Sequence, residues 1–342
     1  MKAKTLVLLL CLISTIGLAK TNPNDNNLNN NYKFIEKKII DANFDVNSDY
    51  NLNLRGSFSD YKIVTWEENS ISFHVEITAK SNKESVTKEL LNKIDIDIDN
   101  NKAKKTISAK TVINNKSMKN VSFEIDYYIM IPKDLYIKID NSYGNIEIDK
   151  ANKDLEIDLD FGHLTIDSLF SYGNIDIEYS DAKIKYAEKI DCKIAFGNIR
   201  ANAANEINIE AQYSDVKLGK INTLTADSQY GEIDIDVLTN KSKIISKYGD
   251  IEINSLDRDF KLIDIMSEFS DVEIYISKNH NFSYDLSASF GDIKSNSKVL
   301  KGEATRYIKD INETSIIGNI NDSRNAHQIN VNVKFGDIEI EF

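Results

Sequence analysis

Tyr179-Ser180-Asp181-Ala182, Phe196-Gly197-Asn198-Ile199, Tyr213-Ser214-Asp215-Val216, Tyr230-Gly231-Glu232-Ile233 and Tyr248-Gly249-Asp250-Ile251 are five copies of one phrase. Each runs aromatic, Gly or Ser, Asn or an acid, aliphatic, and then alternates polar and aliphatic residues. The copies begin at 179, 196, 213, 230 and 248, steps of 17, 17, 17 and 18 residues. Others begin at Tyr143, Phe161, Tyr172, Phe290 and Phe335, with a Ser form at Phe269 and a weaker form at Ile317, and later steps stretch to 21 or 27 residues. Nine of the 13 glycines hold the second position of the phrase, so that position is under a single physical demand.

Strand-forming repeats at a short, fixed period imply a solenoid, in which each coil buries its apolar side by stacking on its neighbours. Ile233-Asp234-Ile235-Asp236-Val237 puts aliphatics on one side of a strand and carboxylates on the other. Gly followed by Asn or Asp suits a corner, where Gly takes positive φ cheaply and the Asx side chain bonds nearby backbone. The corner glycines are then Gly144, Gly162, Gly173, Gly197, Gly231, Gly249, Gly291 and Gly336, with Tyr172-Gly173 serving as a second corner of one coil. Neighbouring strands must be parallel, with equivalent residues in columns roughly 4.8 Å apart, and about ten coils would make a rod roughly 50 Å long.

Working outward, residues 37–142 read as the same architecture in degenerate form, with 143–342 as the regular repeats. Gly56-Ser57-Phe58-Ser59-Asp60 is an eroded corner, and Ser70 to Ile77 alternates cleanly. Residues 84–92 form the one expected helix, with Leu90 and Leu91 as its apolar pair, placed to cap the first coil. Upstream, Asn22 to Asn31 is mostly Asn, and residues 20–36 read as a flexible tether. Residues 1–19 read as a secretory signal peptide: Lys2 and Lys4, an apolar run from Leu6 to Leu18, then Ala19. Cys11 lies inside the apolar run, not where a lipid acceptor sits, and a membrane anchor needs a longer run. At the other end the sequence finishes in mid-repeat, with no sorting or anchoring domain expected after it.

Composition narrows the function classes. The chain has 342 residues, 41% hydrophobic and 28% charged, with only two prolines, which excludes disorder for most of its length. A formal charge of −12, or −14 without Lys2 and Lys4, argues against nucleic acid as a partner. Removal of 1–19 leaves Cys192 as the only cysteine, so no internal disulfide forms, and the residue reads as a small buried side chain. His74, His163, His280 and His327 share no catalytic spacing, and no nucleophile, zinc or phosphate motif is present. No enzyme activity and no cofactor are expected.

The stretch from Ile125 through Pro132 to Leu135, running into Ile139 and the phrase at Tyr143, resembles the bacterial putative-adhesin domain family, of the auto-transporter-adhesin-head kind. The 84–92 helix followed by Ile94-Asp95-Ile96-Asp97-Ile98 matches the same layout. The resemblance covers residues 37–342. It implies an all-β fold, a single-stranded right-handed parallel β-helix, and a role in cell-surface or envelope adhesion, with no catalytic residues.

Register converts the phrases into candidate surfaces. The residue between the two aliphatics forms an outward column of Glu147, Thr165, Lys183, Arg200, Lys217, Asp234, Glu252, Glu273 and Lys294. Lys183, Arg200 and Lys217 are the candidate ligand-binding stripe, for an anionic glycan or another molecule's acidic block; the competing reading is an ordinary solvated face. Tyr179, Phe196, Tyr213, Tyr230 and Tyr248 form an aromatic column, either packed at the corner or partly exposed as a platform for sugars. Asp181, Asp215, Asp250, Asp271, Asp292 and Asp337 invite calcium, yet Asn145, Asn174 and Asn198 stand in for them, so turn formation is the better account. The functional expectation is an exported, adhesin-like or envelope-scaffold protein, in the periplasm, at the surface or outside the cell. Its partner is an unknown glycan or protein, and end-to-end association through the open coil edges is conceivable. The rivals are an outer-membrane β-barrel and a polysaccharide-acting β-helix enzyme.

Overall fold

The computed structural model describes residues 32–114, 121–277, 279–321 and 327–342, so the expected signal peptide and most of the expected tether lie outside the described residues. The fold is all-β with short helical pieces, and the chain divides into two compact units, 1–147 and 148–342. No helix among the described residues is long and apolar enough to cross a membrane.

The first unit contains β1 (Phe34–Asp45), β2 (Asn51–Ser57), β3 (Asp60–Trp66), β4 (Ser70–Ser81), α1 (Glu84–Lys93), β5 (Ile94–Asn101), β6 (Thr106–Ile113), β7 (Val121–Pro132) and β8 (Tyr136–Ser142). The first strand already includes residues 34–36 of the stretch read as tether. The expectation of stacked coils through 37–142 needs correction: β1 pairs antiparallel with β4, β4 with β7, and β5 with β6. For β5 and β6 the cause is loop length, because the turn between Asn101 and Thr106 closes a hairpin, whereas a parallel return needs a dozen residues. Parallel pairing survives between β3 and β7 and on both sides of β2, with β6 and β8. The helix forms as expected, bounded one residue later. Ser81 Oγ bonds the Thr87 hydroxyl at 2.6 Å across its first turn, Leu90 is buried and Leu91 half-buried. It packs against β1, β4 and β5.

The strand β9 (Ile146–Ala151) carries the chain into the second unit, which begins with β10 (Leu155–Asp160), β11 (His163–Glu178), β12 (Asp181–Ala195), β13 (Asn198–Gln212), β14 (Asp215–Gln229) and β15 (Ile233–Lys247). It continues with β16 (Ile251–Ile253), β17 (Leu262–Glu268), β18 (Val272–Tyr275), β19 (Phe282–Ser289), β20 (Ile293–Ser295), the turn α2 (Val299–Gly302), β21 (Ala304–Lys309), β22 (Glu313–Ile320), β23 (Gln328–Lys334) and β24 (Ile338–Glu341). From β10 to β15 each strand pairs parallel with the next, in the register set by the phrase. Inward residues form columns such as Ile175, Cys192, Ile209, Ala226, Ile244 and Ile265, all buried. Alternation alone does this, since every second residue of a strand faces the core.

After β15 the order departs from expectation. The last coil, β23 and β24, does not stack on the end: β23 lies between β17 and β19, and β24 between β18 and β20. Phe335-Gly336-Asp337-Ile338 is chemically interchangeable with the other phrases, so nothing in it specifies its place along the stack. The far edge of β19 is instead covered by the antiparallel hairpin of β22 and β21. This hairpin also corrects the weak copy at Ile317. That residue and Gly318 lie inside β22, and a Cβ on Gly318 would meet the Tyr284 hydroxyl at 2.2 Å.

Candidate interaction surface

The corner is built differently from the sequence reading. In the regular repeats positive φ falls on the aromatic residue and not on the glycine, with Tyr179 at φ 50, Phe196 at 56, Tyr213 at 51, Tyr230 at 60 and Tyr248 at 60. Only at Gly144 does the corner glycine also take positive φ, 154, among the described residues. A left-handed bulky residue costs about 1–3 kcal/mol and persists only where its surroundings offset that strain. Here the gain is ring stacking, with Tyr179 on Phe196 at 4.8 Å between centroids, Phe196 on Tyr213 at 5.1 Å and Tyr213 on Tyr230 at 4.8 Å, all within 6° of parallel. The following glycine answers a different demand, the approach of the next coil. A Cβ on Gly197 would sit 1.8 Å from the carbonyl oxygen of Ser180, and one on Gly231 would sit 2.0 Å from that of Ser214. Where Ser replaces Gly, its buried hydroxyl is used: Ser214 Oγ accepts the Gly197 N–H at 3.2 Å, and Ser270 Oγ accepts that of Gly249 at 3.1 Å.

Tyr172-Gly173 lacks the geometry of the other phrases, since neither residue takes positive φ. Both residues lie within β11 beside a register shift, and a Cβ on Gly173 would meet the Leu169 side chain at 2.8 Å and no backbone atom. Tyr172 instead donates its hydroxyl to Asp191 at 2.7 Å, and that bond, with burial second, pushes the phenol up to about 12.

The aromatic column is both stacked and exposed. In the second unit it runs Phe161, Tyr179, Phe196, Tyr213, Tyr230, Tyr248, Phe269, Phe335, Phe290, following the inserted strand order. Each ring remains about half accessible, Tyr213 at 52% for example. Interior rings have both faces covered by neighbours and present only edges and hydroxyls. The sugar-stacking platform therefore loses its physical basis along the column, because sugars need a ring face. In the first unit the eroded corner has the same geometry: Phe58 has φ 60 and stacks on Tyr143 at 4.9 Å.

The corner acids also act over a longer range than expected. Five of the six accept the backbone N–H of their counterpart in the adjacent coil: Asp181 from Asn198 at 2.9 Å, Asp215 from Glu232 at 3.1 Å, Asp250 from Asp271 at 2.8 Å, Asp271 from Asp337 at 2.8 Å and Asp337 from Asp292 at 2.7 Å, while Asp292 accepts from the Lys309 ammonium at 2.8 Å. One oxygen per residue suffices, so Asn and Asp interchange. No cluster of metal-ligating side chains occurs among the described residues.

Two residues after each corner acid, on the same outward side, the charged column forms in register. Thr165, Lys183, Arg200, Lys217, Asp234, Glu252, Glu273, Glu339 and Lys294 are successive parallel partners. The inserted β24 adds Glu339, which sequence order had left out, and makes the acidic block four residues long. Lys183, Arg200 and Lys217 are exposed and adjacent, as expected. Lys185, Lys189 and Lys193 have carboxylate partners at 2.7, 2.7 and 3.6 Å, whereas those three cations have no ion pair among the described residues. A groove of about 350 Å³ crosses the acidic block, lined by Asp250, Glu252, Asp271 and Glu273, with Lys217 and Lys294 also on its wall. Burial raises the Glu252 carboxyl above its ordinary value, and Asp234, Glu273 and Glu232 add to the rise.

Cys192 is buried as expected, between Ile175 and Ile209 in its column, and burial pushes its thiol up to about 12. The histidines hold one surprise: His280 and His327 both pack on the ring of Phe260, at 6.1 and 5.3 Å. His280 is buried with Nδ1 unpartnered, and burial lowers its basicity. No spacing rule reveals that contact, because three separate segments create it.

No protein-family profile matches the chain. No curated protein matches its sequence. Among solved structures it is similar to a putative cell adhesion protein from Clostridium sporogenes, at 11% identity over 90% of this chain and 99% of that one, with a TM-score of 0.21. A putative adhesin from Parabacteroides merdae shows 12% identity over 69% and 96%, with a TM-score of 0.37. A putative lipid binding protein from Parabacteroides distasonis shows 13% identity over 67% and 94%, with a TM-score of 0.34. Superpositions this loose add nothing to the reading of the surface.

Proposed function

We propose that the chain is an exported, non-catalytic protein whose strands β10 to β15 coil as a single-stranded right-handed parallel β-helix, and that it acts as an adhesin-like or envelope-scaffold binding protein through the lateral surface of those stacked strands. The observation that carries this reading is the column Lys183, Arg200 and Lys217: three exposed cations on adjacent strands, without ion pairs among the described residues, held in register by parallel pairing. Export rests on the N-terminal sequence alone. A barrel in the outer membrane is disfavoured twice over. Its neighbouring strands run antiparallel, unlike β10 to β15, and its outward residues must be apolar, where this column is Lys, Arg, Asp and Glu.

Fixed cations at strand spacing suit a linear polyanion, such as a uronic-acid or sulfated polysaccharide or an acidic protein segment. Binding measured against immobilised acidic polysaccharide should weaken as salt rises and fall at least tenfold when Lys183, Arg200 and Lys217 become Ser. Unchanged binding by that triple variant would remove the stripe from the reading. New reducing or unsaturated ends in the polysaccharide would replace it with an enzyme.

A further inference from the structure

The same column carries a pattern that reads as its own complement. From Lys183 the order is base, base, base, acid, acid, acid, across Lys183, Arg200, Lys217, Asp234, Glu252 and Glu273. Like charges on neighbouring strands repel, and blocks are a costlier arrangement than alternation. Neither block is neutralised by its own chain: none of the six forms an ion pair among the described residues, although Lys62, Lys185 and Lys294 on comparable positions do. The Glu252 carboxyl is raised first by burial and then by the neighbouring Asp234, Glu273 and Glu232.

We propose that a second copy of this chain docks antiparallel on this face, about a two-fold axis between the strands of Lys217 and Asp234. Lys217 then meets Asp234 of the second copy, Arg200 meets its Glu252, Lys183 meets its Glu273, and each contact recurs reciprocally, as a two-fold interface requires. Both columns have the same strand spacing, so all the contacts come into register together. A parallel arrangement would set like charge on like. Glu339 falls opposite Thr165 of the second copy and meets no acid of this column. The inference rests on the reading of this column as the interaction surface and names its partner.

The test is sedimentation velocity of the purified full chain at about 20 mM and about 500 mM salt, conditions that extend and collapse the screening length. Dimer is expected at low salt and monomer at high salt. Arg200→Glu and Glu252→Arg should each weaken association at least tenfold, and the double swap, which restores complementarity, should bring it back. Arg200→Gln should weaken it by less than Arg200→Glu. Monomer at low salt, a salt-insensitive dimer, or a double swap that fails to recover would overturn the proposal. Polysaccharide binding by a chain that stays monomeric would overturn the dimer and leave the proposed function standing, whereas a dimer without polysaccharide binding would do the reverse.

Discussion

At Gly231 a single methyl group separates a stack that closes from one that does not. Its Cβ would lie 2.0 Å from the Ser214 carbonyl oxygen, a backbone atom that cannot swing aside. Gly231→Ala should therefore cost about 3 kcal/mol in chemical denaturation, at the upper end of ordinary substitutions. Gly173→Ala meets only the end of the Leu169 side chain and should cost under about 1 kcal/mol. Equal losses at the two sites would contradict the distinction drawn between corner and strand glycine. Asp215→Ala removes the acceptor of the Glu232 N–H and should cost about 1 kcal/mol, with Asp215→Asn close to neutral. Glu252 provides a pH test. Its folded carboxyl is raised, so its unfavourable effect is absent below the ordinary carboxylate range and grows as pH rises through the raised value. Glu252→Gln should raise the melting temperature at pH 7 and change it little at pH 4.

The strands and their parallel register were legible in the sequence because alternation and a fixed period act locally and repeat. From Lys183 through Arg200, Lys217 and Asp234 to Glu252 the expected column and the observed partners coincide. What sequence could not assign is which atom answers each demand at a corner. Gly after an aromatic residue looks like a positive-φ site, yet Tyr213 takes that conformation, and Gly197 and Gly231 serve close approach. The order of strands after β15 was hidden for another reason: the last phrase fits any gap between coils, so β23 and β24 find theirs by tertiary competition. The antiparallel ladders of β1, β4 and β7 were also missed, since alternation is the same in both directions. Core columns supply the stability of these elements. Ile209→Ala, inside a filled column next to Cys192, should cost about 2–5 kcal/mol, measured by denaturant unfolding.

Across the molecule, a formal charge of −12 coexists with a patch of three cations that have no ion pair among the described residues, and under the proposed function that contrast would make the surface selective. The patch exists only if chain segments seventeen residues apart lie side by side, and the acidic block beside it gains Glu339 only if the last coil is inserted. Paired spin labels test both points in a background with Cys11 and Cys192 replaced by Ser. Labels at 200 and 217 and at 273 and 339, on adjacent strands roughly 5 Å apart, should show strong dipolar broadening, and a pair at 273 and 294, two strands apart, should show much less. Broadening at 273 and 294 without broadening at 273 and 339 would contradict the inserted order, and its absence at 200 and 217 would contradict the stack itself.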